Sequence, residues 1–301
     1  MAIMREIASE VTDPLAHRNQ LFRYMWVNGK LVESHDAKVD ALTHSLHYSG
    51  GVFEGEKAYN GKVFKLEEHT KRLLESAKTL RLEVPYSFED IINAHYLLIE
   101  KNNIKDAYIR PLIWQGSESI NLTHPIISVN LLIAAVPTNP RPATPLSLHL
   151  SRWRKPHPNS LPVQCKSSGH YNILILCQKE AKSLGFDDAI LLDWQDNVAE
   201  CTTTNIFFVK NGHLHTPIAD HFLNGITRQT IMELAKGLNI AVSEERISVE
   251  QISKFDECFI TGTAMEVREV KSIDIGGQNI VFAENKITNL FKQEYDALVG
   301  K

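Results

Sequence analysis

The sequence predicts an α/β protein built as two domains. Three observations carry that expectation: the length, the alternation of hairpin and helix signals in both halves, and a cluster of prolines between them. A chain of 301 residues allows two domains of ordinary size. Its 43% hydrophobic and 23% charged residues are ordinary for a folded globular protein and argue against a disordered one. Seven of the twelve prolines fall between Pro137 and Pro162, and residues 138–145 can form neither a helix nor a central strand. Domains are therefore expected at 1–137 and 148–301, with a linker over 138–147 and a second proline-stiffened loop at about 153–162. A cleft between two domains is a usual place for a small-molecule site.

The elements follow in order. Asn-Gly favours tight turns because both central positions need positive φ. Asn28-Gly29 between Tyr24-Val27 and Leu31-Val32 reads as one hairpin, and Asn60-Gly61 between Ala58-Tyr59 and Val63-Phe64 as a second. A helix from Glu67 to about Leu80 is marked by Leu73, Ala77 and Leu80 along one face. Ser87, with Asp90 three residues on, is the N-cap of a helix reaching about Asn102. Residues 108–113 and 128–136 are strand candidates. In the second half, a helix from Tyr171 to Leu184 stops at Gly185. Strands at 189–193 and 198–200 flank a polar turn. A third Asn-Gly hairpin joins 206–209 to 213–215 through Asn211-Gly212, a helix runs from Thr227 to about Leu238, and 257–261 is a short strand.

Charge and composition exclude several functions. The 32 basic and 36 acidic side chains leave a formal charge of −4, which offers no attraction to nucleic acid or an anionic membrane. The longest unbroken apolar run in the charge-free stretch after Glu118 is Leu131 to Val136, far short of the roughly 20 residues a bilayer requires. Arg5, Glu6 and Glu10 stand where a signal peptide needs its apolar segment. Cys165, Cys177, Cys201 and Cys258 show no metal or redox spacing and are expected as free thiols in a reducing cytoplasm.

Four stretches combine reactive residues with glycine. In Gln164-Cys-Lys166-Ser-Ser-Gly-His-Tyr171 a lysine stands among small residues and a phenol, leaving room for a bound ring; most lysines are simply solvated, but one kept neutral here is a nucleophile able to form a Schiff base. Glu200-Cys-Thr-Thr-Thr-Asn205 puts one acid at a strand end, although a surface carboxylate in a turn has the same pattern. Asn224-Gly-Ile-Thr-Arg228 leads into a helix whose amides and positive end favour a phosphate, as would an ordinary N-cap. Thr261-Gly-Thr-Ala264 ends a strand with amides able to hold a carboxylate. His44-x-x-His47 and His213-x-His215 lack a third ligand at zinc-like spacing, so no metal is expected. Gly50-Gly51 with Gly55 is not a dinucleotide fingerprint, and no G-x-S-x-G occurs.

Further landmarks stand in order along the chain: Trp26-Val-Asn-Gly29, Leu46-His-Tyr-Ser-Gly-Gly-Val-Phe-Glu-Gly55, Glu68-His-Thr-Lys-Arg-Leu73 and Ala107-Tyr-Ile-Arg-Pro-Leu112, then the Lys166 stretch, Glu200 with Asn205-Ile-Phe207, Gly225-Ile-Thr-Arg228 and Gly262-Thr-Ala264. Together they resemble the branched-chain amino acid aminotransferases, of fold type IV among pyridoxal phosphate enzymes. The resemblance runs from Trp26 to about Asp274. It implies a small N-terminal α/β domain and a larger C-terminal domain with a barrel-like sheet. It implies the cofactor pyridoxal 5'-phosphate, amino acid and 2-oxo acid substrates, and a homodimer or higher homo-oligomer.

By that resemblance Lys166 would carry the cofactor as a Schiff base and move the proton. Glu200 would face the pyridine nitrogen, keeping it protonated so that the ring can take up electrons. Tyr171 would donate to the ring's phenolic oxygen. Arg72 would pair with the phosphate, joined by Gly225 and the amides of Ile226, Thr227 and Thr263. The substrate carboxylate would lie against Tyr108 and the amides of Thr263 and Ala264. Phe53, Gly55 and a partner's Tyr48 would form an apolar pocket, with Arg110 reading the distal carboxylate of glutamate. An apolar wall separates one methylene from another by only about 1–3 kcal/mol, so leucine, isoleucine and valine should all be accepted.

The sequence departs from the family on the substrate side. Thr138-Asn-Pro-Arg-Pro142 replaces an aromatic residue many relatives carry, and Gly116-Ser-Glu-Ser-Ile120 is more polar than usual. The alternatives kept open are an (R)-selective amine transaminase, a D-amino acid aminotransferase, and 4-amino-4-deoxychorismate lyase, which shares the lysine and the glutamate.

Overall fold

The computed structural model describes residues 22–138 and 144–301. The first half is a mixed layer of sheet and helix. Strands β1 (Tyr24–Val27), β2 (Lys30–Glu33), β3 (Val52–Phe53), β4 (Glu56–Tyr59), β5 (Lys62–Val63), β6 (Ala107–Gln115) and β7 (Val129–Pro137) form one antiparallel sheet in the order β2-β1-β7-β6-β4-β5, with β3 also on β6. Both Asn-Gly hairpins form as the sequence predicts, each Asn and Gly at positive φ. A short helix α1 (His44–Tyr48) precedes β3, and α2 (Leu66–Thr79) and α3 (Phe88–Asn102) pack on the sheet. Helix α2 begins and ends one residue before its expected bounds. Ser87 caps α3 in a reciprocal capping box with Asp90, which satisfies two of the amides a helix start leaves open.

The second half holds a nine-stranded sheet that curls into a half-barrel. Its strands are β8 (Leu146–Arg154), β9 (Asp188–Leu192), β10 (Val198–Cys201), β11 (Asn205–Lys210), β12 (His213–Pro217), β13 (Val242–Glu245), β14 (Glu257–Gly262), β15 (Glu266–Ile275) and β16 (Gln278–Val281). The order is β10-β9-β8-β15-β14-β11-β12-β13, with β16 on β15. Helices α4 (Tyr171–Ser183), α5 (Ile226–Gly237) and α6 (Lys286–Leu298) cover it. Gly185, at φ +88°, follows α4 as expected.

The structure departs from the proline-based expectation at one point. The linker was expected to run to residue 147 and a loop to start at 153, yet β8 spans Leu146–Arg154 and overlaps both. Pro145 and Pro156 lie just outside the strand, so β8 keeps its donors and pairs in parallel with β9 and β15. Half of the linker, residues 139–143, lies outside the described residues, as do the N-terminal charges. Among these, no helix is long and apolar enough to cross a membrane.

The two halves interlock. Cys165 packs in the core of the first half with Leu73, Ile109 and Ile133, while Tyr59 packs in that of the second with Phe207, Phe259 and Phe291. All four cysteines are buried and free.

Candidate active site

Lys166 is held where the halves meet. Its segment lies along the edge of β3: the Phe53 amide donates to the Lys166 carbonyl at 3.1 Å, and the Ser168 amide to the Gly51 carbonyl at 2.9 Å. The Lys166 amide in turn donates to Ser76 Oγ of α2 at 3.0 Å. With the backbone pinned from two sides, Lys166 Nζ reaches the hydroxyl of Tyr171, the first residue of α4, at 2.9 Å. Glu200, buried on β10, lines the same pocket. Lys155 Nζ sits 2.8 Å from its Oε1, and Asn205 Nδ2 donates to its Oε2 at 3.3 Å. Burial pushes the Glu200 carboxyl up, while Lys155 and Lys166 pull against that shift.

The opposite end is built for an anion. Gly225 precedes α5, and no side chain among the described residues caps that helix, so its first amides and positive end face the pocket. Asn205 Oδ1 accepts from the Gly225 amide at 3.0 Å, and a Cβ on residue 225 would stand 2.1 Å from that oxygen. Only glycine permits this approach. Arg72 enters from α2, its guanidinium held by Glu54 at 2.6 and 2.8 Å. Glu54 also bonds His69 Nδ1 at 2.7 Å and has no exposure. Its complete burial works to raise its pKa, but Arg72 and His69 overcome this and hold the carboxyl well below the usual range.

A separate wall lies on the first sheet. Arg110 donates to the Tyr108 hydroxyl at 2.7 Å, and its guanidinium carbon stands 4.5 Å from the centre of the Phe53 ring. Arg110 Nε is buried without an acceptor among the described residues. Phe53 meets Tyr171 at 4.7 Å between ring centres, which joins this wall to the lysine. A Cβ on Gly55 would stand 2.3 Å from the Tyr108 hydroxyl, so this glycine makes room for the phenol. Tyr48 is not brought to the pocket by its own chain; it is 45% exposed and donates to the Ile120 carbonyl at 2.8 Å.

All eight residues that the resemblance assigned to the cofactor therefore line one open pocket of about 620 Å³ counting its mouth: Arg72, Lys166, Tyr171, Glu200, Gly225, Ile226, Thr227 and Thr263. The family profile described as amino-transferase class IV matches residues 51–273, a span that takes in every one of them. This chain belongs to the class IV aminotransferases. The "Probable branched-chain-amino-acid aminotransferase" of Rickettsia bellii (strain RML369-C) is 61% identical over 277 residues, covering 92% of this chain and 96% of that protein. The branched-chain aminotransferase of Thermoproteus uzoniensis, solved with norvaline, superposes with a TM-score of 0.87 at 35% identity, covering 92% of this chain and 94% of that one. The T.th. branched-chain amino acid aminotransferase has been solved with N-(5'-phosphopyridoxyl)-L-glutamate and with 4-methylvaleric acid. It gives a TM-score of 0.86 at 33% identity with the same coverage.

The cofactor of this aminotransferase is pyridoxal 5'-phosphate, and the pocket fits it. One end presents an amine beside a phenol, the other an uncapped helix start beside an arginine, and a carboxylate lies in the wall. Thr261, which also lines it, leaves a buried hydroxyl without a partner among the described residues.

Two side chains of the site escaped the sequence reading. Lys155 falls in the basic run Arg152-Trp-Arg-Lys155, where nothing separates it from a solvated lysine until β8 aims it at Glu200. Glu54 did leave a signal, an acid between apolar and small residues in Val52-Phe-Glu-Gly55, because a buried carboxylate requires a cationic partner. Of the second histidine pair, His213 bonds Ser243 and His215 bonds Glu245.

Proposed function

We propose that this aminotransferase exchanges the amino group between L-branched-chain amino acids and 2-oxoglutarate, giving branched 2-oxo acids and L-glutamate. The observation that carries the reading is the wall of Phe53, Tyr108 and Arg110 beside Lys166. It offers an aromatic surface for an aliphatic side chain and, in the buried unpaired Nε of Arg110, a donor for a distal carboxylate. The ligands of the T.th. enzyme, one branched and aliphatic and one carrying glutamate, support the same dual pocket.

Bound pyridoxal phosphate supplies an aldehyde to hold the amino group and a ring to take up electrons from the substrate carbon. In this reading Lys166 Nζ would hold that aldehyde carbon at rest and, once the substrate's amine has displaced it, would be the free base that takes the proton from the substrate Cα. The Tyr171 hydroxyl orients the amine. Glu200 holds the proton on the ring nitrogen, and Lys155 keeps the buried Glu200 charged to do so. Arg72, with the amides of Ile226, Thr227 and Thr263, grips the phosphate, while Glu54 stiffens Arg72. The substrate carboxylate lies against Tyr108 and the amides of Thr263 and Ala264.

A second copy of the chain completes the pocket with its own Tyr48. Support comes from the apolar residues exposed near Tyr48, Leu42 and Leu46 before and on α1 and Ile120 and Leu122 on the adjoining loop. The buried free thiols suit the cytoplasm, where thiols stay reduced. The test is the visible spectrum of the purified protein as L-leucine is added without any keto acid. Loss of the cofactor band, restored by 2-oxoglutarate, is the expected result. A band that leucine leaves unchanged rules out the substrate assignment.

A further inference from the structure

The turn that carries Thr263 and Ala264 is closed by a residue in an uncommon conformation. The Met265 amide donates to the Gly262 carbonyl at 3.0 Å, and Gly262 faces Glu266 across the mouth of the β14–β15 hairpin. Glu266 has φ +55°, in the left-handed region where glycine or asparagine is the usual occupant. A longer side chain persists there only where its surroundings over-determine it.

Here they do. Lys57 Nζ lies 2.5 Å and the Tyr59 hydroxyl 2.7 Å from one Glu266 oxygen, while Lys301 Nζ reaches both oxygens at 2.5 and 2.7 Å. The two ammonium groups sit 5.1 and 5.2 Å from the centre of the Tyr59 ring. Lys57 and Tyr59 belong to β4, which begins directly after Gly55. The clasp thus ties the Thr263–Ala264 turn of the second half to β4 of the first, which follows Gly55 and sets Lys57 opposite Tyr108 of β6. Tyr59 also interacts with Tyr295, and Tyr295 with Thr227 at the start of α5.

We propose that Glu266 is a positioning residue for the substrate's α-carboxylate. Clasped by Lys57, Tyr59 and Lys301, it locks the 262–266 turn in register with Gly55 and Tyr108, so that the Thr263 and Ala264 amides meet that carboxylate at a fixed place. The inference rests on the reading above that these amides bind it. Structure and positioning separate at this site, because glycine relaxes a left-handed backbone while deleting the clasp.

The test measures equilibrium binding of 4-methylvalerate and its uncharged amide to the cofactor-loaded enzyme. Wild type that binds both equally overturns the carboxylate subsite itself, whatever Glu266 does. Given a wild-type preference for the acid, Glu266→Gly should lower affinity for the acid about tenfold, the size of one weakened charge-assisted hydrogen bond. Affinity for the amide should stay within about twofold, since apolar packing is untouched. The melting temperature should hold within about 4 °C, because relief of the backbone offsets the lost side chain. Equal loss of both ligands with a lower melting temperature means a structural role only and refutes the proposal, as does an unchanged preference. Glu266→Gln supplies a second arm. It takes the cluster of two lysines and one carboxylate from a formal +1 to +2, so a purely electrostatic role predicts tighter binding of the acid; positioning predicts weaker binding.

Discussion

Lys166, Tyr171, Glu200 and Arg72 come from four different elements, yet each is held by a neighbour of opposite or complementary character. Replacing Lys166 with Ala should abolish turnover, which a single assay on cofactor-loaded protein checks. Glu200→Gln should leave the cofactor bound but slow turnover by about two orders of magnitude or more, because a neutral amide cannot hold the ring proton. Arg110→Ala should raise KM for glutamate far more than for leucine; equal losses argue against its reading of the distal carboxylate. Lys155→Met leaves a buried carboxylate without its cation and should cost about 3 kcal/mol. Adding Glu200→Gln to that variant should restore most of the loss in a urea titration, since neither buried charge then remains.

At the level of elements, Asn205 at the head of β11 joins Glu200 to the start of α5, so one amide side chain spaces the two ends of the pocket. Gly225→Ala should therefore push Asn205 aside and weaken cofactor affinity by about tenfold, within the range of one lost charge-assisted bond. Titration of the cofactor-free protein measures this directly; unchanged affinity shows that the close approach has no role. The edge of β3 acts similarly on the other side, since the extended segment it pairs with leaves Lys166 little freedom of backbone.

Across the whole molecule, the buried Glu54–Arg72–His69 cluster makes stability depend on pH. Glu54 titrates lower in the folded chain than in the unfolded one, so its contribution is fully present above the unfolded value of about 4.3 and is lost as pH falls through the folded value. Unfolding free energy should fall between about pH 5 and pH 3, and Glu54→Gln should flatten that slope. A slope identical in the variant places the effect elsewhere. The proposed pocket also needs a second chain: Tyr48→Ala should impair leucine turnover although Tyr48 is exposed and outside its own pocket. Leu46→Glu, on the neighbouring exposed face, should give monomers by sedimentation and lose activity with them.

Much of this was legible in the sequence because it is local. The Asn-Gly turns, the Ser87–Asp90 cap and the apolar face of α2 depend on residues within a few positions of one another, and they formed as predicted, to within a residue at the ends of α2. The residues that line the Lys166 pocket were legible for the same reason, each of their motifs being short. Strand β15 was not, since its alternating charges in Glu266-Val-Arg-Glu-Val270 look exposed until β8 and β14 flank it. Nor was β8, hidden between prolines that turned out to stand just beyond its ends. Lys155 against Glu200, and Glu266 against Lys57, pair residues 45 and 209 positions apart. A charge reads as solvated until the fold takes it out of water, and only the packing of distant strands says which charges must then find each other.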